Sequence, residues 1–182
     1  MSVNELMREH RAVTPSGRER HLGVDEVIVS KTDPKGLITY ANDVFCRIAG
    51  FEVHELIGAP HNLIRHPDMP RCVFKFLWDR IAAGHEVFAY VKNMARNGDH
   101  YWVLAHVTPS YGPTGEIVGY HSNRRKPDAS GIRAVEPVYA QLRQIEQSHD
   151  PRKGIELSMK AFVDLLDKNN VTYDEFIFSL IA

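Results

Sequence analysis

The stretch VKNMARNGDHYW (91–102) reads as a strand, a polar turn and a second strand ending in two aromatics. Asn97-Gly98 at its centre is a strong hairpin signal, because both residues tolerate the backbone angles that tight turns between twisted strands require. A further turn at GPTG (112–115) extends the pattern, so 86–94, 99–108 and 116–125 read as three consecutive strands. Upstream, EVIVSK (26–31) and LITYAN (37–42) flank DPKG (33–36), whose proline and glycine sit where a type I turn favours them. The intervening chain is helical in short pieces. Residues 43–49 carry Phe45 and Ile48 on one face before Gly50, 53–57 stop at Gly58, and Pro70 opens a helix to about Ala83 with Val73, Phe76, Leu77 and Ile81 as its stripe. This order predicts an α+β fold: one five-stranded antiparallel sheet with short helices on one face.

The flanks differ in character. Residues 1–24 read as an N-terminal arm, with a short helix over 4–12 broken by TPSG (14–17). The sheet domain spans 25–128. Residues 129–182 form a C-terminal helical appendage. AVEPVYAQLRQIEQ (134–147) places Val138, Leu142 and Ile145 on one side, Asp150-Pro151 starts a second helix bearing Ile155, Met159, Phe162 and Leu166, and Thr172-x-x-Glu175 is a capping box for a third. Its apolar stripe forms either its own core or a dimer or partner surface.

A net charge of -1 argues against a non-specific nucleic-acid binder. No apolar run approaches the ~20 residues of a membrane span, and the N-terminus has no apolar signal-peptide segment. Cys46 and Cys72 lack C-x-x-C spacing and suit a reducing compartment, so a cytoplasmic location is expected. The ten histidines show no H-E-x-x-H pattern, so no dedicated metal site is expected.

The candidate chemistry lies in HNLIRHPDMP (61–70), which packs two histidines, an arginine, an asparagine and an aspartate between prolines. Core packing needs no such set. Arg65 offers five fixed donors and either grips a phosphate or carboxylate or staples the loop through Asp68. His66, held extended before Pro67, either meets a ligand or packs the loop. The Asn93 amide can pair with a ring edge that both donates and accepts, or serve a bulge. Trp78 serves the core or the ligand. Of Tyr101 and Trp102, which alternate along a strand, only one can face the pocket. Lys92, Arg96, Arg124, Arg125 and Lys126 read as solvated. No nucleophile stands at a recognisable spacing from a base, so an enzyme is not expected.

Three strings taken together, YAND-x-F-x-x-x-x-GF (40–51), EL-x-G-x-PHN-x-x-RHPDMP (55–70) and VKN-x-x-x-NGD-x-YWV (91–103), closely resemble the PAS domain of bacterial aerotaxis receptors. The resemblance covers about 26–140. It implies a PAS fold, non-covalent FAD, and sensing of redox or oxygen state. It implies that Asn42, His61, Asn62, Arg65, His66, Asp68, Trp78 and Asn93 lie at or beside the flavin. It further implies a stand-alone, dimeric form signalling to a separate chemoreceptor or other transducer. Two alternatives accompany it: haem b ligated by His61, or another small ligand, and a cofactor-free adaptor acting through protein contacts. One departure is visible, since the family tends to carry a tryptophan and a glycine before V-K-N, where this chain has Phe88 and Tyr90. They are expected to reshape the pocket wall.

Overall fold

The computed structural model describes residues 2–181. Its sheet has five antiparallel strands: β1 (Ile28–Thr32), β2 (Ile38–Ala41), β3 (Val87–Met94), β4 (His100–Tyr111) and β5 (Ile117–Arg125), in the order β2-β1-β5-β4-β3. The two predicted hairpins join through the long-range β1–β5 pairing, which sets Ser30 opposite Ser122 and Ile28 opposite Arg124. In the 95–99 turn only Gly98 has a positive φ, +89°. The glycine takes the left-handed position of a bulged turn, while Asn97 spends its amide on Asp99 at 2.8 Å. β4 extends past its predicted end at 108, through Pro109 to Tyr111. β3 reaches only as far as Val107, so beyond it β4 pairs on one side, where a proline is tolerated.

One face of the sheet carries α2 (Asp43–Ala49), α3 (Val53–Leu56), a 3-10 turn (His61–Ile64) and α4 (Arg71–Ala82). Phe45, Leu56, Ile64 and Val73 are buried beneath them against Ile28, Val87 and Ala89. The N-terminal helix α1 (Val3–Ala12) starts in a Ser2–Glu5 capping box and buries Leu6, Met7 and His10. The arm that follows is tied to the 95–99 turn. Asp99 accepts from Ser16 Oγ at 2.6 Å and Arg20 Nε at 3.2 Å, and it pairs with Arg18 at 3.3 Å.

At β3 and β4 the opposite face is covered by α5 (Ala129–Gln147) and α7 (Tyr173–Ser179), buttressed by α6 (Pro151–Lys168). α5 begins before the predicted Ala134 and runs through Pro137. An interior proline costs a helix about 3 kcal/mol. Burial of Val135, Tyr139 and Leu142 offsets it. Gly131 lets the helix lie against Tyr90, whose hydroxyl would sit 2.2 Å from an added Cβ. These helices share the core of the sheet domain, because Val135, Tyr139, Phe162 and Ile177 pack in the same cluster as the strand residues.

The β3 edge is closed by side chains and the backbone of the 65–66 loop rather than by another strand. Phe88 O accepts from Tyr173 Oη at 2.6 Å and Tyr90 O from Tyr139 Oη at 2.8 Å. Lys92 O accepts from His66 N at 3.4 Å. Every second carbonyl of the exposed edge is thus satisfied, which removes a template for aggregation.

Candidate functional site

A narrow cleft of about 100 Å³ lies between the inner face of the sheet and α4. Its floor is Val87, Val91, Ala105 and Val107, and its roof is Phe74, Leu77 and Ile81. The floor residues come from the odd positions of β3 and β4, as the period-two alternation of strands requires, and the roof residues from α4. Polar groups gather at two places in this apolar slot.

The first is built on β1, β5 and the 3-10 turn. Ser30 Oγ accepts from Arg124 Nη2 and lies 3.3 Å from His61 Nε2. Burial, followed by the Arg124 charge, lowers the His61 pKa to about 3, so the ring is neutral at physiological pH. Phe45 carries His61 stacked at 6.1 Å and the Arg124 guanidinium over its face at 4.4 Å.

Arg124 is 2% exposed, and its Nε and Nη1 have no hydrogen-bond partner. Burial pushes its pKa down to about 10. Two unmet buried donors cost roughly 1–3 kcal/mol each, more than a desolvated cation–π contact of about 2 kcal/mol returns. The Tyr101 hydroxyl is also buried without a partner.

The second polar group is Asn62, Arg65 and Asn93, which line the cleft together. Arg65 and Asn93 form an isolated antiparallel bridge that brings the loop onto β3. The Arg65 guanidinium lies 5.5 Å from the Phe74 ring centroid. Trp78 stands at the rim, 37% exposed, edge-on to Tyr120 at 5.5 Å.

The PAS fold family profile matches residues 38–124. The chain is 40% identical to the aerotaxis receptor of Escherichia coli (strain K12) over 149 residues, 82% of this chain and 29% of that protein. Residues 38–124 are a PAS domain. The chain is also 31% identical to a nitrogen fixation regulatory protein of Klebsiella pneumoniae over 99 residues, 54% of this chain and 20% of that one. It therefore spans less than a third of either relative. Two solved light-oxygen-voltage domains share the fold at a TM-score of 0.53. One, studied with a flavin analogue, is 17% identical and covers 68% of this chain and 87% of its own. The other, the light state of a blue-light photoreceptor, is 22% identical and covers 67% of this chain and 91% of its own.

Within the PAS domain, five of the expected site residues line the cleft: His61, Asn62, Arg65, Trp78 and Asn93. Three do not. Asn42 caps α2 through Phe45 N at 3.1 Å, accepts from Val29 N at 3.0 Å, and donates to Val27 O at 2.9 Å, so its amide is consumed by the backbone. His66 is buried behind the loop, edge-on to His100, with Nδ1 accepting from Asp68 N at 3.0 Å. Asp68 pairs with Lys92 at 3.3 Å and with Arg143 of α5, and makes no ion pair with Arg65 among the described residues. Its role is to tie the loop to α5.

Phe88 and Tyr90 are corrected too. They occupy even positions of β3 and face the helices: Phe88 packs on Phe178 at 5.1 Å, and Tyr90 Oη donates to Leu180 O at 3.0 Å. They do not shape the cleft. Tyr101 and Trp102 split as strand alternation demands, with Trp102 stacked on Tyr139 of α5 at 6.4 Å. Lys92, expected in solvent, lies over Trp102 with its side chain only 13% exposed.

Arg124 was misread as part of a solvated Arg-Arg-Lys run. The available signal was the alternation of Tyr120, Ser122 and Arg124, which all line the cleft. Glu146 was also missed. It is 5% exposed on α5 and accepts from Arg71 N at 2.9 Å and Cys72 N at 2.8 Å, so it caps the N-terminus of α4 from another element. Ser158 of α6 completes the contact at 3.1 Å.

Proposed function

We propose that this chain is a cytoplasmic sensory PAS protein that binds FAD in the cleft and reports redox or oxygen state to a chemoreceptor or other transducer. The observation that carries this reading is the cleft itself: an apolar slot with hydrogen-bonding side chains gathered at two places, the make-up a flat heteroaromatic ring with polar edges calls for. His61, Asn62, Arg65 and Asn93 converge on it from segments that the family strings single out. The unpartnered donors of Arg124 fit a group rich in acceptors. When bound, a flavin supplies a redox couple whose charge and hydrogen-bonding edge differ between its two states.

The chain's own residues carry such a difference outward. β3 presents Val91 and Asn93 to the cleft and Phe88 and Tyr90 to α7 and α5. A shift of this strand is felt at once by Tyr139 and Tyr173, which hold its edge. α4, which roofs the cleft, is held by Glu146 of α5. The C-terminal helices thus contact both walls of the site, and we assign them the output, through a partner or a second copy.

The haem alternative rests on His61. Its Nε2 is engaged by Ser30 and its ring is stacked on Phe45, so this geometry favours flavin. The absorption spectrum of purified protein, with chromatography of the heat-released ligand, tests the proposal. Flavin bands and released FAD are expected. A Soret band would establish haem instead, and a colourless protein releasing nothing would leave the adaptor.

A further inference from the structure

We propose that Arg124 is the selectivity residue of the cleft: it recognises the carbonyl-bearing edge of a planar ring, not a phosphate, and fixes which end of the ligand enters first. The inference rests on the flavin reading for the ligand class but on separate observations for the residue. Arg124 is 2% exposed, lines the cleft, and keeps Nε and Nη1 free of any partner. Its remaining contacts, Ser30 Oγ and the Phe45 face, orient the guanidinium without occupying those donors. Among the described residues no carboxylate pairs with it: Ser30, Ser122, Ala105 and Tyr120 share its surroundings in the cleft.

A phosphate is strongly hydrated and stays where water reaches it. Asn62 and Trp78 mark that rim, since both are exposed. A ring edge with carbonyl oxygens has less hydration to lose than a charged phosphate and offers the acceptors that two free N–H groups require. A fixed guanidinium also discriminates against rings lacking those acceptors, because an unmatched ligand would leave its donors stranded.

Arg124→Met and Arg124→Lys test this, with riboflavin, FMN and FAD titrated separately into cofactor-stripped protein. Arg124→Met is expected to weaken all three by a similar factor, about 10- to 100-fold, as the loss of a charged hydrogen bond implies. Arg124→Lys is expected to fall between it and the wild type. The unfolding temperature of ligand-free protein is a second readout. Arg124→Met should raise it by about 2–10 °C, because an uncompensated buried charge has been removed. A loss confined to FMN and FAD would overturn the assignment by placing Arg124 on a phosphate. A lower unfolding temperature for ligand-free Arg124→Met would overturn it by making the residue a structural cation. If the wild type binds none of the three flavins, the flavin proposal and the recognition role built on it both fail.

Discussion

Replacing Glu146 with alanine tests whether the C-terminal helices and the roof of the cleft act as one unit. Its carboxylate is 5% exposed and accepts from Arg71 N, Cys72 N, Arg71 Nε and Ser158 Oγ within 3.2 Å. Hydrogen bonds to a charged group contribute about 1.5–3 kcal/mol each, and removing one partner of a buried set costs about 3–5 kcal/mol. Water can reach the Arg71 side, so the lower half of that range is expected. For a chain of this size each kcal/mol shifts the unfolding temperature by roughly 2–4 °C, so Glu146→Ala should fall by about 6–16 °C. Glu146→Gln keeps one acceptor and should lose about half as much. Burial raises the Glu146 pKa, but the bonds from Arg71 and Cys72 outweigh it and hold it below the ordinary value. A depressed carboxylate stabilises the fold above its unfolded pKa and loses that contribution as pH falls through the folded one. The gap between wild type and Glu146→Gln should therefore close below about pH 4. Hydrogen exchange at the Arg71 and Cys72 amides would rise in both variants. A Glu146→Ala protein that melts within ~1 °C of wild type, with those amides still protected, would refute the cap and the coupling built on it.

Tyr139→Phe and Tyr173→Phe each strand a carbonyl of β3 and should cost about 1–2 kcal/mol in urea unfolding, with faster exchange concentrated in β3; uniform exchange across the sheet would argue against edge protection. Burial and the Arg124 charge place the folded His61 pKa at about 3 against 6.5 unfolded. Between those values the unfolded chain holds more protons, so stability falls as pH drops below 6.5, by about 2 kcal/mol at pH 5 from this residue alone. His61→Phe should flatten that slope relative to wild type. Asp99→Ala removes the acceptor of Ser16 and Arg20 and should open the 13–20 segment to limited proteolysis while the sheet domain stays intact; unchanged cleavage there would count against the latch.

The sheet was readable because its information is local. Turn residues at 33–36, 95–98 and 112–115, together with alternating apolar strands, need only near neighbours to act. The loop residues His61, Asn62 and Arg65 were readable for a related reason: so many polar groups between prolines have no core role. The residues that bind the site together were not readable, because their partners are remote. Arg124 meets Ser30 across 94 positions, and Glu146 meets Arg71 and Cys72 across 75 and 74. In sequence each looks like an ordinary surface charge. His66 and Asp68 failed in the opposite direction, since a dense polar loop gives no sign of which side chains turn inward. His66 turns toward His100 and Asp68 toward Arg143, away from the cleft.

The same strand geometry explains why Phe88 and Tyr90 were misjudged and why that matters for the output. A strand has two faces, and β3 uses both. Its odd residues complete an apolar slot, and its even residues and edge carbonyls carry two helices, α5 and α7. A tryptophan or glycine at 88 or 90 would therefore change how the helices seat, not which ligand fits. Variation at these positions tunes transmission, whereas variation at Asn93 or Arg124 tunes recognition, and the two can change independently because one backbone separates them.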